Sequence, residues 1–349
     1  MSKFFYKDKP IIGLDISLTS LKLMSIDARK WSVLGYASVD VDPNKLQTSL
    51  SSDGKYLTEM LIELRKNIAG NLVSNHVVMG IPTIKTFARS IELPRDIKGV
   101  LQDAVELEAE QYIPVPVSQL YIDHEVTGKT DKSISIMMCA VPQKLIDICV
   151  DAASTADFKV AMVEPGMNAA ARLLKVTESG DLPTVIVDIG AATTDVAVLD
   201  GSIKVTGGVP VGGNTFTIDI SKKLKVPLET AHQLKVLNGL NISPRQAKIR
   251  EALEPNLKKI GDEIKKIIRY YNERLTDGKK IEQVLVVGGG SNVPGIGDYF
   301  TDSIVIAARV ASPWQVLHFD KVQQPARQFL SRYITVAGLA SVNYKEIWK

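Results

Sequence analysis

Apolar and polar positions fall into two matched blocks. Residues 11–27 read IIGLDISLTSLKLMSID, and residues 184–200 read TVIVDIGAATTDVAVLD. In each block an apolar run closes on an aspartate, Asp15 or Asp188. A polar turn follows, and a second apolar run leads to Asp27 or Asp200. Short apolar runs bounded by turn residues predict a β-hairpin. A third strand is predicted after each, in WSVLGYASVDV and in SIKVTGGVPV, with Asp200-Gly201 as the hairpin turn in the second block. A hairpin-plus-strand unit that recurs after half a chain implies two similar α/β domains and excludes a short-period solenoid.

Between the blocks the pattern alternates. Leu57, Leu61, Leu64 and Ile68 have helical spacing, and VVMGIP at 77–82 predicts a buried strand. Residues 84–157 have the look of an inserted module. TFARSIEL is strand-like, and 96–111 is a predicted helix with Ile97, Val100, Leu101, Ala104 and Val105 on one face. YIPVPVSQL is a proline-stiffened connection, YIDHEVTG and SISIMMCAV are strands, and QKLIDICVDAASTA is a helix. Residues 160–175 return through a strand and a helix to the second block. After Gly213 the chain turns helical, ending in a run from about Pro255 to Leu275. Pro255 suits a first helical turn, where a missing N–H costs little. Leu257, Ile260, Ile264, Ile267, Ile268 and Tyr271 make one apolar stripe, and the lysines opposite form a solvated face. Strand, glycine loop and helix close the pattern at 281–300.

Composition narrows the classes. At 349 residues the chain is too long for one core. A hydrophobic fraction of 45% and a charged fraction of 23% are ordinary globular values. The net charge of +3 gives no argument for nucleic acid. Cys139 and Cys149 sit in apolar stretches and read as buried thiols of a reducing compartment. The four histidines are scattered, which disfavours a zinc site. The N-terminus has no apolar signal core, no stretch is apolar enough to span a membrane, and the tail SVNYKEIWK is no convincing amphipathic anchor. A cytoplasmic protein reaching the membrane only through a partner is expected.

Three segments carry candidate chemistry. Asp15, Ser17 and Thr19 place a carboxylate at a strand end before a hydroxyl-rich turn, a pattern that can hold hydrated Mg²⁺ and phosphate oxygens. Lys22 lies seven residues on and can reach a terminal phosphate. Asp188, Gly190, Thr193 and Thr194 repeat the arrangement, with Gly190 permitting close backbone approach. Each turn alone reads better as a plain hairpin; a pseudo-twofold clamp needs both. Gly288, Gly289, Gly290 and Ser291 follow an apolar strand and precede a helix predicted near Pro294, so a bare backbone can lie against a nucleoside. The loop half-matches a dinucleotide fingerprint, but Val293 stands at the third glycine position, and no GxxxxGK[ST] loop occurs.

Two aspartate turns and a late VVGGGS loop resemble the phosphate and adenosine motifs of the actin, Hsp70 and FtsA superfamily. IPTIKTFARSIELP, AVELEAEQYIPVPVSQL, VPVGGNTFTIDI and ITVAGLA are similar to the PilM family, actin-like cytoplasmic proteins of type IV pilus assembly. The resemblance runs from about residue 10 to 341. It implies an α/β, actin-like ATPase fold of two pseudo-symmetric domains with an FtsA-like inserted subdomain. The implied subdomains are 10–83 with 158–183 (1A), 84–157 (1C), 184–215 with 282–349 (2A), and 216–281 (2B). It implies ATP or ADP with Mg²⁺ in the cleft. Asp15, Ser17, Thr19 and Lys22 would face phosphates and metal from one side, and Asp188, Gly190, Thr193 and Thr194 from the other. Asp15 and Asp188 would be the metal carboxylates. Gly213 and Lys235 would lie at the nucleotide, with Gly288 to Ser291 along the nucleoside. Glu164 sits where Hsp70-like members place a water-positioning Glu-Pro; a strand-end surface carboxylate is the alternative. Relatives carry Ala-Glu-x-x-Lys at the adenosine, whereas here His232 replaces the acid and Lys235 is kept. An imidazole cannot replace a carboxylate that accepts ribose hydroxyls.

The implied function is an ATP-binding scaffold that binds the cytoplasmic N-terminal peptide of a PilN-type inner-membrane protein. In the family that peptide lies in a groove between the first core subdomain and the inserted module. Pilus motor ATPases and the platform protein are further implied partners. A slow or partner-dependent ATPase is a second reading. An FtsA-like division ATPase that polymerises at the membrane is a third.

Overall fold

The computed structural model describes residues 11–95, 100–178, 182–241, 247–275, 278–343 and 347. The first half opens with β1 (Ile12–Ile16), β2 (Ser20–Asp27) and β3 (Ser32–Asp40), an antiparallel meander. Helices α1 (Pro43–Ser51) and α2 (Lys55–Lys66) follow, then β4 (Ala69–Gly70) and β5 (His76–Ile81). Asp42 caps α1 by accepting from the backbone N–H groups of Asn44 and Lys45, at 2.9 and 3.0 Å. Of the predicted stripe, Leu57, Leu61 and Leu64 are wholly buried in α2, whereas Ile68 lies beyond the helix and is only partly buried.

The next segment is a small layer of its own: β6 (Phe87–Pro94), α3 (Leu101–Tyr112), β7 (Leu120–Lys129) and β8 (Ser133–Pro142). Its antiparallel sheet has the order β6-β8-β7, and Ile91, Val105, Ala109, Ile136 and Met138 form its core. The helix predicted over 96–111 begins at Leu101 among described residues; Ile97 lies outside them. The following helix, α4 (Gln143–Thr155), belongs elsewhere. Cys149, Ala152 and Ala153 pack with Leu57, Leu61 and Leu64 in the first-half core. Within the predicted span 84–157, α4 thus packs on the first-half core and not in the β6-β8-β7 layer. An amphipathic helix joins whichever core lies beside its apolar face, which local sequence does not specify.

Strand β9 (Lys159–Pro165) completes a sheet of order β4-β3-β2-β1-β5-β9, with β1, β5 and β9 parallel. After α5 (Gly166–Thr177) the pattern repeats: β10 (Thr184–Ile189), β11 (Thr194–Asp200) and β12 (Ser202–Val209) form the second meander. The hairpin turn centres on Gly201, with φ of 71°. Helices α6 (Gly213–Leu224), α7 (Leu228–Leu237) and α8 (Ala247–Arg274) precede β13 (Gln283–Val287), α9 (Ile296–Ile304) and β14 (Ala308–Val310). The sheet order is β12-β11-β10-β13-β14. Its β10 and β11 take the places of β1 and β2.

Pro255 stands inside α8 rather than in its first turn. The ring removes one backbone bond, but Leu253, Leu257, Ile260, Ile264, Ile267 and Tyr271 are buried along the same face. That burial exceeds the loss of one bond.

The chain ends through α10 (Arg327–Leu330) and α11 (Ile334–Ala340). Sequence order assigns α11 to the second half, yet it packs against α5 and β1 of the first. Together α5 and α11 fill the space between the sheets, with Met24 and Ile26 on one side and Ile186, Ala197, Leu285 and Val287 on the other. The crossing is close. A Cβ on Gly338 would stand 2.0 Å from the carbonyl oxygen of Ala169, and one on Gly13 would stand 2.3 Å from that of Val336. Gly338→Ala should therefore destabilise the chain by about 1–3 kcal/mol, since a packed core yields little to an added methyl. Chemical denaturation measures this; an unchanged midpoint would mean that the two helices can move apart freely.

Candidate functional site

A cavity of about 710 Å³ lies where the two meanders face each other. That volume is in the range of small-molecule pockets, about 300–1,000 Å³. Asp15 and Asp188 end the parallel central strands β1 and β10, so the same hairpin geometry delivers both carboxylates to one place.

On the first side Asp15 stands opposite Lys22 in the β1–β2 register, and Lys22 Nζ donates to Asp15 Oδ2 at 2.9 Å. Both are buried. Lys22 thus lines the cavity as the partner of Asp15. Ser17, Leu18 and Thr19 form the turn. Ser17 Oγ donates to the Ser20 carbonyl at 2.7 Å, which fixes the turn and commits its proton.

On the second side Gly190 N–H donates to Thr193 O at 2.9 Å and closes the turn. The N-terminus of α6 docks on it: the N–H groups of Gly213 and Asn214 donate to the carbonyls of Gly190 and Ala191. Thr193 lines the cavity. Thr194 does not, because its buried hydroxyl donates to Val211 O at 2.8 Å inside the sheet. Thr193 belongs to the turn and Thr194 opens β11, and the structure brings only the first of them to the cavity lining.

The glycine loop is a 3-10 turn, Gly289–Asn292, and α9 starts only at Ile296. Gly288 has φ of 82°, and a Cβ there would stand 2.2 Å from Asp188 Oδ1. Only glycine lets this backbone lie against the carboxylate. Gly288, Gly289 and Gly290 line the cavity. Ser291 faces away, its buried hydroxyl donating to Gly288 O at 2.7 Å. The far wall is α7. Lys235 Nζ donates to Gly213 O and Thr217 Oγ1, both at 2.8 Å. Burial brings its pKa down to about 8. It faces the cavity beside the α6 N-terminus, an arrangement suited to an anion. His232 lies on the same helix. Burial and then the charge of Lys235 lower its pKa, so it is a neutral imidazole at pH 7.

Glu164 is corrected by its surroundings. Arg172, two turns along α5, donates to both its oxygens, at 2.7 and 2.6 Å. Arg172 also donates to Gly338 O at 3.1 Å. Glu164 is buried and does not line the cavity; it holds Arg172 of α5, whose further bond reaches α11. Arg172→Ala should cost about 3–5 kcal/mol of stability, since it strands a buried carboxylate. Denaturation with nucleotide affinity measured in parallel checks this: stability falls and affinity holds. A loss of affinity at full stability would return Glu164 to the site.

A carboxylate absent from the sequence-based set takes a place there. Asp195 stands opposite Asp188 in the β10–β11 register, where the first half has Lys22 opposite Asp15. Its Oδ1 is sealed from solvent without a hydrogen-bond partner among the described residues. Burial, then the charge of Asp188, pushes its pKa up to about 7. Asp188 rises to about 6, through burial and then the charge of Asp15. Three carboxylates thus share one cationic side chain, Lys22, a deficit of positive charge that a divalent cation would fill. No cluster of three metal-ligating side chains occurs among the described residues. Mg²⁺ does not need one, because it keeps several waters and binds through one or two carboxylates and phosphate oxygens. The donor set fits that ion.

A family model described as type IV pilus assembly protein PilM matches residues 13–343. The chain belongs to the PilM family. Its fold is the actin-like one. The structure is similar to that of a PilM-PilN type IV pilus biogenesis complex, with a TM-score of 0.77 at 21% identity, covering 96% of this chain and 98% of that one. It is also similar to MreB5 of Spiroplasma citri bound to ADP, with a TM-score of 0.55 at 16% identity, covering 95% of both chains. Among curated relatives, cell division protein FtsA of Borreliella burgdorferi is 24% identical over 330 residues, 88% of this chain and 70% of its own. FtsA of Neisseria meningitidis is 30% identical over 158 residues, 44% of this chain and 36% of its own.

At the mouth of this PilM-family cleft, Asp40 from the end of β3 pairs with Arg332 at 2.5 Å. Phe329 and Asn292 line the same mouth. Nothing local in the sequence marks these residues, because they meet only when the C-terminal segment returns to the first half. Asp195 did have a signal: it lies seven residues after Asp188, as Lys22 does after Asp15.

Proposed function

We propose that the chain is a nucleotide-binding scaffold of the type IV pilus assembly platform. The cleft carries this reading: paired aspartate turns, a glycine loop pressed on Asp188 and a buried lysine face one cavity, in a chain of the PilM family. ATP or ADP is the ligand, with Mg²⁺ held through water by Asp15 and Asp188. The bound ion would neutralise phosphate charge. The Ser17–Thr19 turn and the Gly190–Thr193 turn meet the phosphates from opposite sides, and Lys235 with the α6 N-terminus adds positive potential. Gly288, Gly289 and Gly290 lie along the nucleoside. In this reading Asp195 is the candidate general base: it lines the cavity, and its pKa of about 7 lies near the working pH.

The similar PilM-PilN complex supports a PilN-type protein as partner, and in this reading its cytoplasmic N-terminal peptide is the segment bound. Motor ATPases and the platform protein are further partners in this reading. No helix among the described residues is long and apolar enough to cross a membrane. In this reading the PilN-type protein is the link to it. Calorimetry with ATP and ADP, with and without Mg²⁺, tests the proposal. Saturable, Mg²⁺-dependent binding is expected. No binding by the folded chain would leave a nucleotide-free scaffold. The FtsA relatives support a second reading as a polymerising ATPase, and pelleting of filaments with ATP would favour it.

A further inference from the structure

The mouth of the cleft has two sides, each tied to a different loop of the site. One side is the end of β3. Asp40 stands opposite Ser20 in the β2–β3 register, and the next N–H, that of Val41, donates to Thr19 O at 3.0 Å. Asp40 is thereby fixed to the turn that the nucleotide reading gives to the phosphates. The other side is the segment 328–332. Asn292 Nδ2 donates to Gln328 O at 2.7 Å, and Arg332 Cγ lies 3.3 Å from where a Cβ on Gly289 would stand. That segment is thereby fixed to the glycine loop. Asp40, Gln328, Phe329 and Arg332 all line the cavity.

The Arg332 side chain joins the two sides. Its stem lies on Gly289, and its guanidinium donates to Asp40 Oδ1 at 2.5 Å. The guanidinium carbon also stands 6.0 Å from the centre of the Phe329 ring. A side chain that runs from the glycine loop to the end of β3 crosses the opening between them. Its two ends are held differently. The stem rests against backbone, whereas the ion pair is wet: the Arg332 side chain is 32% exposed and that of Asp40 76%. Water and salt compete for both charges of such a pair, so it opens readily. The Lys22–Asp15 pair inside the same cavity is the contrast, with both side chains buried.

We propose that Arg332 is a side-chain gate on the cleft, latched by Asp40, that sets how fast a nucleotide enters and leaves. The proposal rests on the nucleotide reading. Latched, the guanidinium lies across the mouth. Released, it turns out to solvent on its flexible stem, and no movement of one half against the other is needed. Such a gate acts on the path and not on the bound state. Breaking the latch therefore raises the entry and exit rates by one factor and leaves the affinity where it was. A residue that held the nucleotide itself would behave differently, because its loss weakens affinity through faster exit alone. The latch is also sensitive to salt, since both of its charges face water.

The probe is radiolabelled ADP with Mg²⁺, bound to the full chain and chased with unlabelled ADP, while calorimetry gives the Kd. Asp40→Asn and Arg332→Gln should each speed release about two- to fivefold, the scale of one exposed ion pair. The Kd should stay the same, so that the entry rate rises in step with release. The double variant should be no faster than either single one, because both remove the same contact. Added salt should speed release from wild type and leave the variants unmoved. Release at the wild-type rate, a weaker Kd with the entry rate unchanged, or one salt response shared by all the proteins would each overturn the gate and leave the nucleotide reading standing. Failure of the wild-type chain to bind ADP would overturn that reading, and the gate with it.

Discussion

Asp188→Ala should lower the affinity for Mg·ATP by at least about a hundredfold, roughly 3 kcal/mol, and leave the chain folded. Asp188 is one of two carboxylates, with Asp15, that the parallel strands bring to the cavity. Mg²⁺ held by so few protein ligands loses much of its site with either. The fold should survive for an electrostatic reason. Burial and the charge of Asp15 raise the Asp188 pKa to about 6, so the native chain gains nothing from that charge at neutral pH. The small void left beside Gly288 is tolerable, since Gly288 is held by its own turn. Calorimetry separates the effects. Affinity for ATP without metal should be nearly the same in both proteins, and the difference should appear on adding Mg²⁺. Equal Mg·ATP affinities would remove Asp188 from the site and the metal with it.

Asp195→Asn should stabilise the nucleotide-free chain by about 2–3 kcal/mol at pH 8 and have little effect near pH 4. The Asp195 pKa is raised to about 7 in the folded chain, from an ordinary carboxylate value of 3.8. Below pH 4 both folded and unfolded chains hold the proton. Between pH 4 and 7 the unfolded chain releases it while the folded chain keeps it, so the unfolded state binds fewer protons and stability falls as pH rises. Above pH 7 the loss is complete. Three pKa units correspond to about 4 kcal/mol, and burying the amide cancels part of that gain. Urea denaturation at pH 4, 6 and 8 checks the slope: wild type should weaken across the series and the variant should not. Parallel curves would mean that Asp195 is solvated or already paired. The gain should be accompanied by loss of any ATP turnover, the usual relation between a strained site and its function.

Much of the fold is legible because hairpins are local. The runs ending at Asp15 and Asp188, the turn at Gly201, and the buried stripe of α8 follow from strand and helix periodicity within a few residues. The glycine loop is legible for a similar reason. Gly288, at φ of 82° against Asp188, meets a backbone demand that no other residue meets. Hydroxyl direction is not legible. Thr193 and Thr194 look equivalent in sequence, but the first stays in the turn at the cleft and the second, opening β11, bonds to Val211. Ser291 looks like a loop ligand until the 3-10 turn points it at Gly288.

The sequence by itself determined the duplicated hairpins, the aspartates at their ends and the glycine loop, because each rests on periodicity or on allowed backbone angles. The tertiary structure alone decided which charges meet. Glu164 went to Arg172 and out of the site, and Asp195 stayed in it without a hydrogen-bond partner for its Oδ1. It also gave α4 to the first core and α11 to the space between the sheets. Electrostatic pairing and apolar burial depend on distance through space, and residues far apart in the chain acquire that distance only when the two halves close on each other.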